Sequence, residues 1–297
     1  MEILNMTSRR FNSFSRLELP RSVFNTEAEM YVIPGKAKWE RNDTLLKKFY
    51  NTNGPIFSNK LYTINELLDN KGVIDIPELV MPSSLAAIDG KVVGYTMPLI
   101  PNINFQEVMD SNEFSTEQKI AYLKEIGELL EKIKLVREHT PVQDFYLNDI
   151  HENNFVLNQK TGRINVVDLD SCKIGHNLTA AARYLTPTSQ LPLISKYTPL
   201  TRSVGGVYKV SENTEIYCYI IMIFNYLFGA NISKISISDF YVYLEYLAKI
   251  GVSKEFLDKI SYIYVNRANE NPYEYLDELT HFVGRAHRNV FEKVRKK

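Results

Sequence analysis

Apolar and polar positions change their rhythm about a third of the way along the chain. Glu27 to Ile33 (EAEMYVI) and Thr44 to Tyr50 (TLLKKFY) read as strands, rich in aromatic, β-branched and other apolar residues. Between them PGKAKWERND carries turn chemistry, Pro34-Gly35 and then Asn42-Asp43. NKLYTINELLDN, residues 59 to 70, places Leu61, Ile64, Leu67 and Leu68 at helical spacing. Two further strands are predicted around Ser84 to Ile88 and Val92 to Ile100, joined at the hairpin signal Asp89-Gly90. Then Ser115-Thr-Glu-Gln118 forms a capping box before a long amphipathic helix to about Arg137, with Ile120, Leu123, Ile126, Leu130 and Ile133 on one face. Phe155 to Leu157 and Ile164 to Val167 form a hairpin across NQKTGR. After a loop-rich stretch from 168 to 213, helices are expected over 214–229, 237–250, 254–267 and 272–294.

Strands first and helices afterwards imply an α+β chain of two lobes, crossing from one to the other near Met97 to Asn102. Residues 1 to 20 stand apart as an extension, either capping the strand-rich part or binding something else. The 297 residues suffice for a large core, and no internal repeat or low-complexity tract interrupts them.

Composition narrows the partners. Thirty-five basic and thirty-five acidic residues cancel, so nucleic acid and anionic membrane are not expected as main partners. Cys172 and Cys218 lack metal-like spacing, which argues against a disulfide framework or zinc site and for a reducing, cytoplasmic setting. The N-terminal MEILNMTSRRFNSFSRLELP lacks the pattern of a secretory signal. Tyr217 to Phe224 (YCYIIMIF), continuing as NYLFGA, is too short for a transmembrane segment and reads as a buried helix.

Candidate chemistry gathers in DIHENNFVLNQKTGRINVVDLD, residues 149 to 170. Asp149 and Asn154 flank a tight loop before the first hairpin strand, and Asp168 ends the second, so the three side chains can converge. Carboxylate and amide oxygens are hard ligands suited to Mg²⁺, which takes one or two protein carboxylates and completes its shell on substrate phosphates. A carboxylate left off the metal can orient a hydroxyl nucleophile, the division of labour that phosphoryl transfer requires.

These residues resemble the protein kinase superfamily. Asp149-Ile-His-Glu-Asn-Asn154 matches the D-x-x-x-x-N of its catalytic loop, and Asp168-Leu169-Asp170 matches its metal-binding D-F-G in a D-x-D form found in divergent bacterial members. The resemblance implies a bilobal fold, with a β-rich N-lobe over residues 21–100 and a mainly α-helical C-lobe over 101–297. It makes Asp149 the catalytic base and Asn154 and Asp168 the holders of Mg²⁺, with ATP as the phosphoryl donor. It also calls for a strand lysine on the phosphates and a helix glutamate holding that lysine. Strand alternation favours Lys47 over its rival Lys48, and Glu66 lies on the short helix that follows. VVGYTMPLIPN is similar to the last N-lobe strand and hinge: Met97 would line the back of the nucleotide pocket, with an adenine donor from Leu99 or Ile100, since Pro98 has no N–H. Tyr197-Thr-Pro-Leu200 resembles Y-x-A-P-E, and Glu215-Ile-Tyr-Cys-Tyr resembles the D-x-W-S that opens the buried central helix.

The chain also departs from that pattern. A glycine-rich loop would fall near residues 25 to 32, where NTEAEMYV has no glycine, leaving Ala28 and backbone amides to cover phosphates. Leu147-Asn148 replaces His-Arg, while Leu200 and Asn271 together replace an ion pair. His151 makes the loop D-x-H-x-x-N, similar to aminoglycoside and choline phosphotransferases; it either meets a phosphate or packs. The leading expectation is an ATP- and Mg²⁺-dependent serine/threonine protein kinase whose acceptor is a hydroxyl of another protein or of the protein itself. Thr179, Thr186, Thr188, Ser189 and Thr198 supply hydroxyls between Asp168 and Leu200. A small-molecule phosphotransferase and a catalytically weak pseudokinase scaffold are the alternatives.

Overall fold

The structure is a computed structural model and describes residues 2–18, 27–35, 44–178, 210–266 and 270–279. Strands β1 (Ile3–Met6) and β2 (Ser15–Arg16) flank a one-turn helix, α1 (Ser8–Phe11). Strands β3 (Ala28–Ile33) and β4 (Thr44–Phe49) follow, then helix α2 (Pro55–Asp69), then β5 (Ser84–Ile88) and β6 (Lys91–Pro98). The six strands form one sheet in the order β1-β5-β6-β4-β3-β2, antiparallel except at the β1–β5 edge. Helix α2 begins earlier than its apolar spacing suggests, because Pro55 occupies its first turn, where a missing N–H does no harm. The Asp89-Gly90 turn is present with φ of 47° and 81°, the twist a two-residue hairpin needs.

Residues 2–18 join this sheet through β1 and β2 and cap it, the first of the two parts expected of the N-terminal segment. Met6, Ile33, Leu46 and Ala86 form a second small core on the sheet's outer face, with Leu4, Phe11, Phe14, Tyr31 and Ile88 packed around it. The Phe11 ring meets Tyr31 edge-on, 4.7 Å between centroids. The strand pairing also corrects the expected phosphate loop. Ala28 is buried at the start of β3, so residues 28–32 of that stretch are strand and not loop, while residues 25 and 26 lie outside the described residues. Leu17 continues the pairing by donating its N–H to the Met30 carbonyl at 2.8 Å.

Beyond β6 a small sheet, β7 (Asn102–Asn104), β8 (Phe155–Asn158) and β9 (Arg163–Val166), packs among helices α3 (Phe105–Asp110) and α4 (Thr116–His139). The capping box at the start of α4 is formed, with both Ser115–Gln118 hydrogen bonds in place. Helices α5 (Glu212–Phe228), α6 (Ile237–Lys249) and α7 (Lys254–Asn266) follow. Pro272–Leu279 is a 3-10 segment, where the sequence pattern predicts the start of an α-helix. It docks through Asn271, whose side-chain amide donates to the Gly127 carbonyl of α4 at 2.7 Å. Helix α5 is apolar nearly all round because Ile216 to Phe224 are buried on every side. No helix among the described residues is long and apolar enough to cross a membrane. The chain is thus a mixed α+β protein, with a β-rich sheet region followed by a mainly helical part. Tyr197 to Leu200 and the threonines and serine named between Asp168 and Leu200 lie outside the described residues.

Candidate functional site

Strand alternation in β4 separates its two lysines. Lys48 faces Glu29 on the neighbouring strand, 3.6 Å away, and keeps part of its side chain exposed. Lys47 is 2% exposed and reaches inward to Asp168 and to Asp170, the latter at 2.7 Å. Its strand is held close to β6 at Gly94, where a Cβ would sit 1.9 Å from the Lys47 carbonyl oxygen. Burial disfavours the charge on Lys47, but Asp168 and Asp170 outweigh it and hold the ammonium well above lysine's ordinary range.

The acids come from a left-handed turn. Asp168 has φ 64° and ψ 43°, a conformation aspartate tolerates better than most residues, and it opens the 3-10 turn Leu169–Ser171. Its side chain is 38% exposed toward the cleft, whereas that of Asp170 is fully buried. Burial opposes the charge on Asp170, yet Lys47 and Lys60 beside it keep its carboxyl well below the usual carboxylate range.

Across the cleft, the loop before β8 carries Asp149, His151 and Asn154. Asn148 also has positive φ, 57°, and its side-chain amide donates to the Ser171 carbonyl at 3.1 Å, tying this loop to the aspartate turn. The Asn154 side-chain NH₂ donates to the Asp149 carbonyl at 2.8 Å, leaving its Oδ1 as the atom able to serve a cation. The Val167 N–H donates to the Asn154 carbonyl at 2.9 Å, so Asp168 and Asn154 are anchored to each other through the backbone. The Asn153 N–H donates to His151 Nδ1 at 3.2 Å, which assigns the ring proton to Nε2; Nε2 in turn lies 3.2 Å from Asp149 Oδ2. His151 therefore contacts the expected base and does not merely pack.

Beneath the loop, Glu215 accepts the Leu147 N–H at 2.7 Å through one oxygen and the Arg137 guanidinium at 3.0 Å through the other. Arg137 also donates to the Phe145 carbonyl at 3.0 Å, so a buried ion pair supports the loop from below.

Lys47, Asp168 and the Asp149–Asn154 loop share one cleft of about 510 Å³. Lys47, Asp149, Asn154, Asp168, Met97, Leu99 and Ile100 all line it, seven of the eight residues singled out from sequence. Leu17, Met30, Leu45, Val80, Val156 and Val167 give it an apolar side. Glu66 is the exception. It does not meet Lys47; its carboxylate lies on another face of α2, 3.3 Å from where a Cβ on Gly175 would stand. The residue that α2 turns inward is Lys60, which pairs with Asp170 at 2.9 Å and Glu27 at 2.7 Å. Its signal was present in the pattern: Phe57, Lys60, Ile64 and Leu67 are spaced 3, 4 and 3 apart, an apolar stripe with one lysine in it.

Among the described residues no group of three or more His, Cys, Asp and Glu is arranged to hold a metal ion. Asn154 and Asp168 supply two hard oxygen donors, a set that suits Mg²⁺ only when phosphate oxygens complete it. No protein-family model matches the chain, and no curated protein matches its sequence.

Proposed function

We propose that this chain is an ATP- and Mg²⁺-dependent phosphotransferase of bilobal, protein kinase-like architecture, acting on serine or threonine hydroxyls of a protein. The observation that carries this reading is the meeting of Lys47, Asp149, Asn154 and Asp168 in one cleft whose wall continues through Met97, Leu99 and Ile100. The apolar side of the cleft suits a purine, and Lys47 suits the phosphates beside it. Asn154 and Asp168 would hold Mg²⁺, which when bound neutralises phosphate charge. Asp149 would take the proton of the acceptor hydroxyl as its oxygen bonds to the γ-phosphorus and ADP leaves. The exposed face of Asp168 fits the cation-holding role, and the burial of Lys47 fits a fixed point charge.

A specific observation favours a second acceptor class. His151 lines the cleft beside Asp149, the arrangement behind the D-x-H resemblance to small-molecule phosphotransferases. The deciding experiment incubates the protein with γ-labelled ATP and Mg²⁺, beside Asp168→Asn. Label on the protein or a generic protein substrate, lost in the variant and on adding EDTA, supports the protein-kinase reading. ATP binding without protein labelling moves the acceptor to small molecules. Absence of both binding and labelling overturns the proposal.

A further inference from the structure

We infer that Asp170 is the positioning residue that holds Lys47 toward the phosphates of a bound nucleotide, the part expected of Glu66. The inference rests on reading the cleft as a nucleotide site and adds a residue to it.

Asp170 is saturated as an acceptor. Its Oδ2 takes Lys47 at 2.7 Å and the Tyr95 hydroxyl at 3.3 Å; its Oδ1 takes Lys60 at 2.9 Å and the Ser171 hydroxyl at 3.4 Å. A carboxylate with both oxygens engaged twice has nothing left for a metal ion. The two acids of Asp168-Leu169-Asp170 therefore divide their work: the half-exposed one faces the cleft, and the buried one faces the lysines.

The sign of helix α2 makes this division necessary. With Lys60 as its inward polar residue, α2 brings a cation where an anion would be needed to pair with Lys47. Two lysines under one sheet require an acid between them, and Asp170 is placed there by the 3-10 turn that Asp168 opens. Lys60 extends the chain of alternating charge to Glu27, which also lines the cleft. When nucleotide draws Asp168 toward a cation, Asp170 is the partner Lys47 keeps.

The test measures binding of ATP with Mg²⁺, and separately of adenosine, to the full chain by calorimetry. Asp170→Asn should weaken ATP binding about tenfold or more, the loss of one charge-assisted contact, and leave adenosine binding within about twofold. Combining it with Lys47→Met should weaken ATP no further than Lys47→Met alone, since Asp170 acts through Lys47. Glu66→Gln should bind both ligands as the wild type does. Asp170→Asn leaves the buried Lys47 and the partly buried Lys60 without their shared acid, so a second variant, Asp170→Asn with Lys60→Met, keeps the charge balanced and should show the same ATP-selective loss. Unchanged ATP affinity in either folded Asp170 variant, equal loss of adenosine, or an ATP-selective loss in Glu66→Gln overturns the inference. A wild-type chain that binds no ATP overturns the nucleotide reading itself, a separate outcome.

Discussion

Glu215, one turn into the most buried helix, accepts the Leu147 N–H at 2.7 Å and so fixes the backbone just ahead of Asp149. The same carboxylate is paired with Arg137 at 3.0 Å, and both side chains are buried. Removing Glu215 leaves Arg137 charged and buried, with the Phe145 carbonyl and the more distant Glu212 carboxylate, 3.6 Å away, as its remaining polar partners among the described residues. Glu215→Ala should therefore destabilise the chain by about 3–5 kcal/mol in urea unfolding. Arg137→Met with Glu215→Leu, which removes both charges, should lose clearly less than Glu215→Ala. A double variant at least as unstable as the single one would refute this account.

The same residue carries a pH signature. Burial pushes the Glu215 carboxyl up to about 7, Arg137 beside it notwithstanding, from an ordinary value of 4.5. Between those values the native state holds a proton that the unfolded chain has released. The stability this group supplies is full below pH 4.5 and is lost as the pH rises through 7. Glu215→Gln has no proton to lose, so its Tm deficit relative to the wild type should narrow between pH 5 and pH 8. A constant deficit across that range would contradict the assignment.

Gly94 predicts a backbone effect on the site. A Cβ there would lie 1.9 Å from the Lys47 carbonyl oxygen, and main chain cannot swing aside as a side chain can. Gly94→Ala should cost about 2–3 kcal/mol of stability and displace Lys47 enough to weaken ATP binding. Denaturant titration alongside nucleotide binding checks both; wild-type values in the two would show that β4 and β6 separate freely.

Deletion of residues 2–14 should expose the outer face of the sheet. Leu46 is fully buried, and Ile33 nearly so, beneath Met6, Phe11 and Phe14. The loss should exceed about 3 kcal/mol, given that a fully buried apolar side chain contributes about 1.5–3 kcal/mol. A truncated chain with unchanged Tm would show that the cover is dispensable.

Much of this arrangement was legible where a local rule applied. Period-2 alternation separated Lys47 from Lys48, and two-residue hairpin chemistry placed Asp89-Gly90, because neither depends on distant contacts. Glu66 failed because its role came from resemblance, whereas helix phase decides which side chain of α2 turns inward, and that phase selects Lys60. Ala28 lies in the strand that the pattern of Glu27 to Ile33 predicts; only its phosphate-covering role, taken from the resemblance, does not fit its burial in β3. The link from Arg137 through Glu215 to Leu147 joins residues far apart in sequence, and no local pattern announces it.

His151 gives the last prediction. With Nδ1 occupied by the Asn153 N–H, the Nε2 proton is directed at Asp149 Oδ2, 3.2 Å away. That hydrogen bond restrains one carboxylate oxygen and, under the proposed activity, would set the rotamer in which Asp149 meets an acceptor hydroxyl. His151→Phe keeps the ring's bulk and removes the donor. Under the proposed activity, kcat should fall about 10- to 100-fold, one hydrogen bond to a charged group, while KM for ATP stays close to the wild type. A rise in KM for ATP at unchanged kcat would instead place His151 on the nucleotide. Unchanged kinetics would mean the Asp149 contact has no catalytic consequence, since the same loop would hold its base without the imidazole.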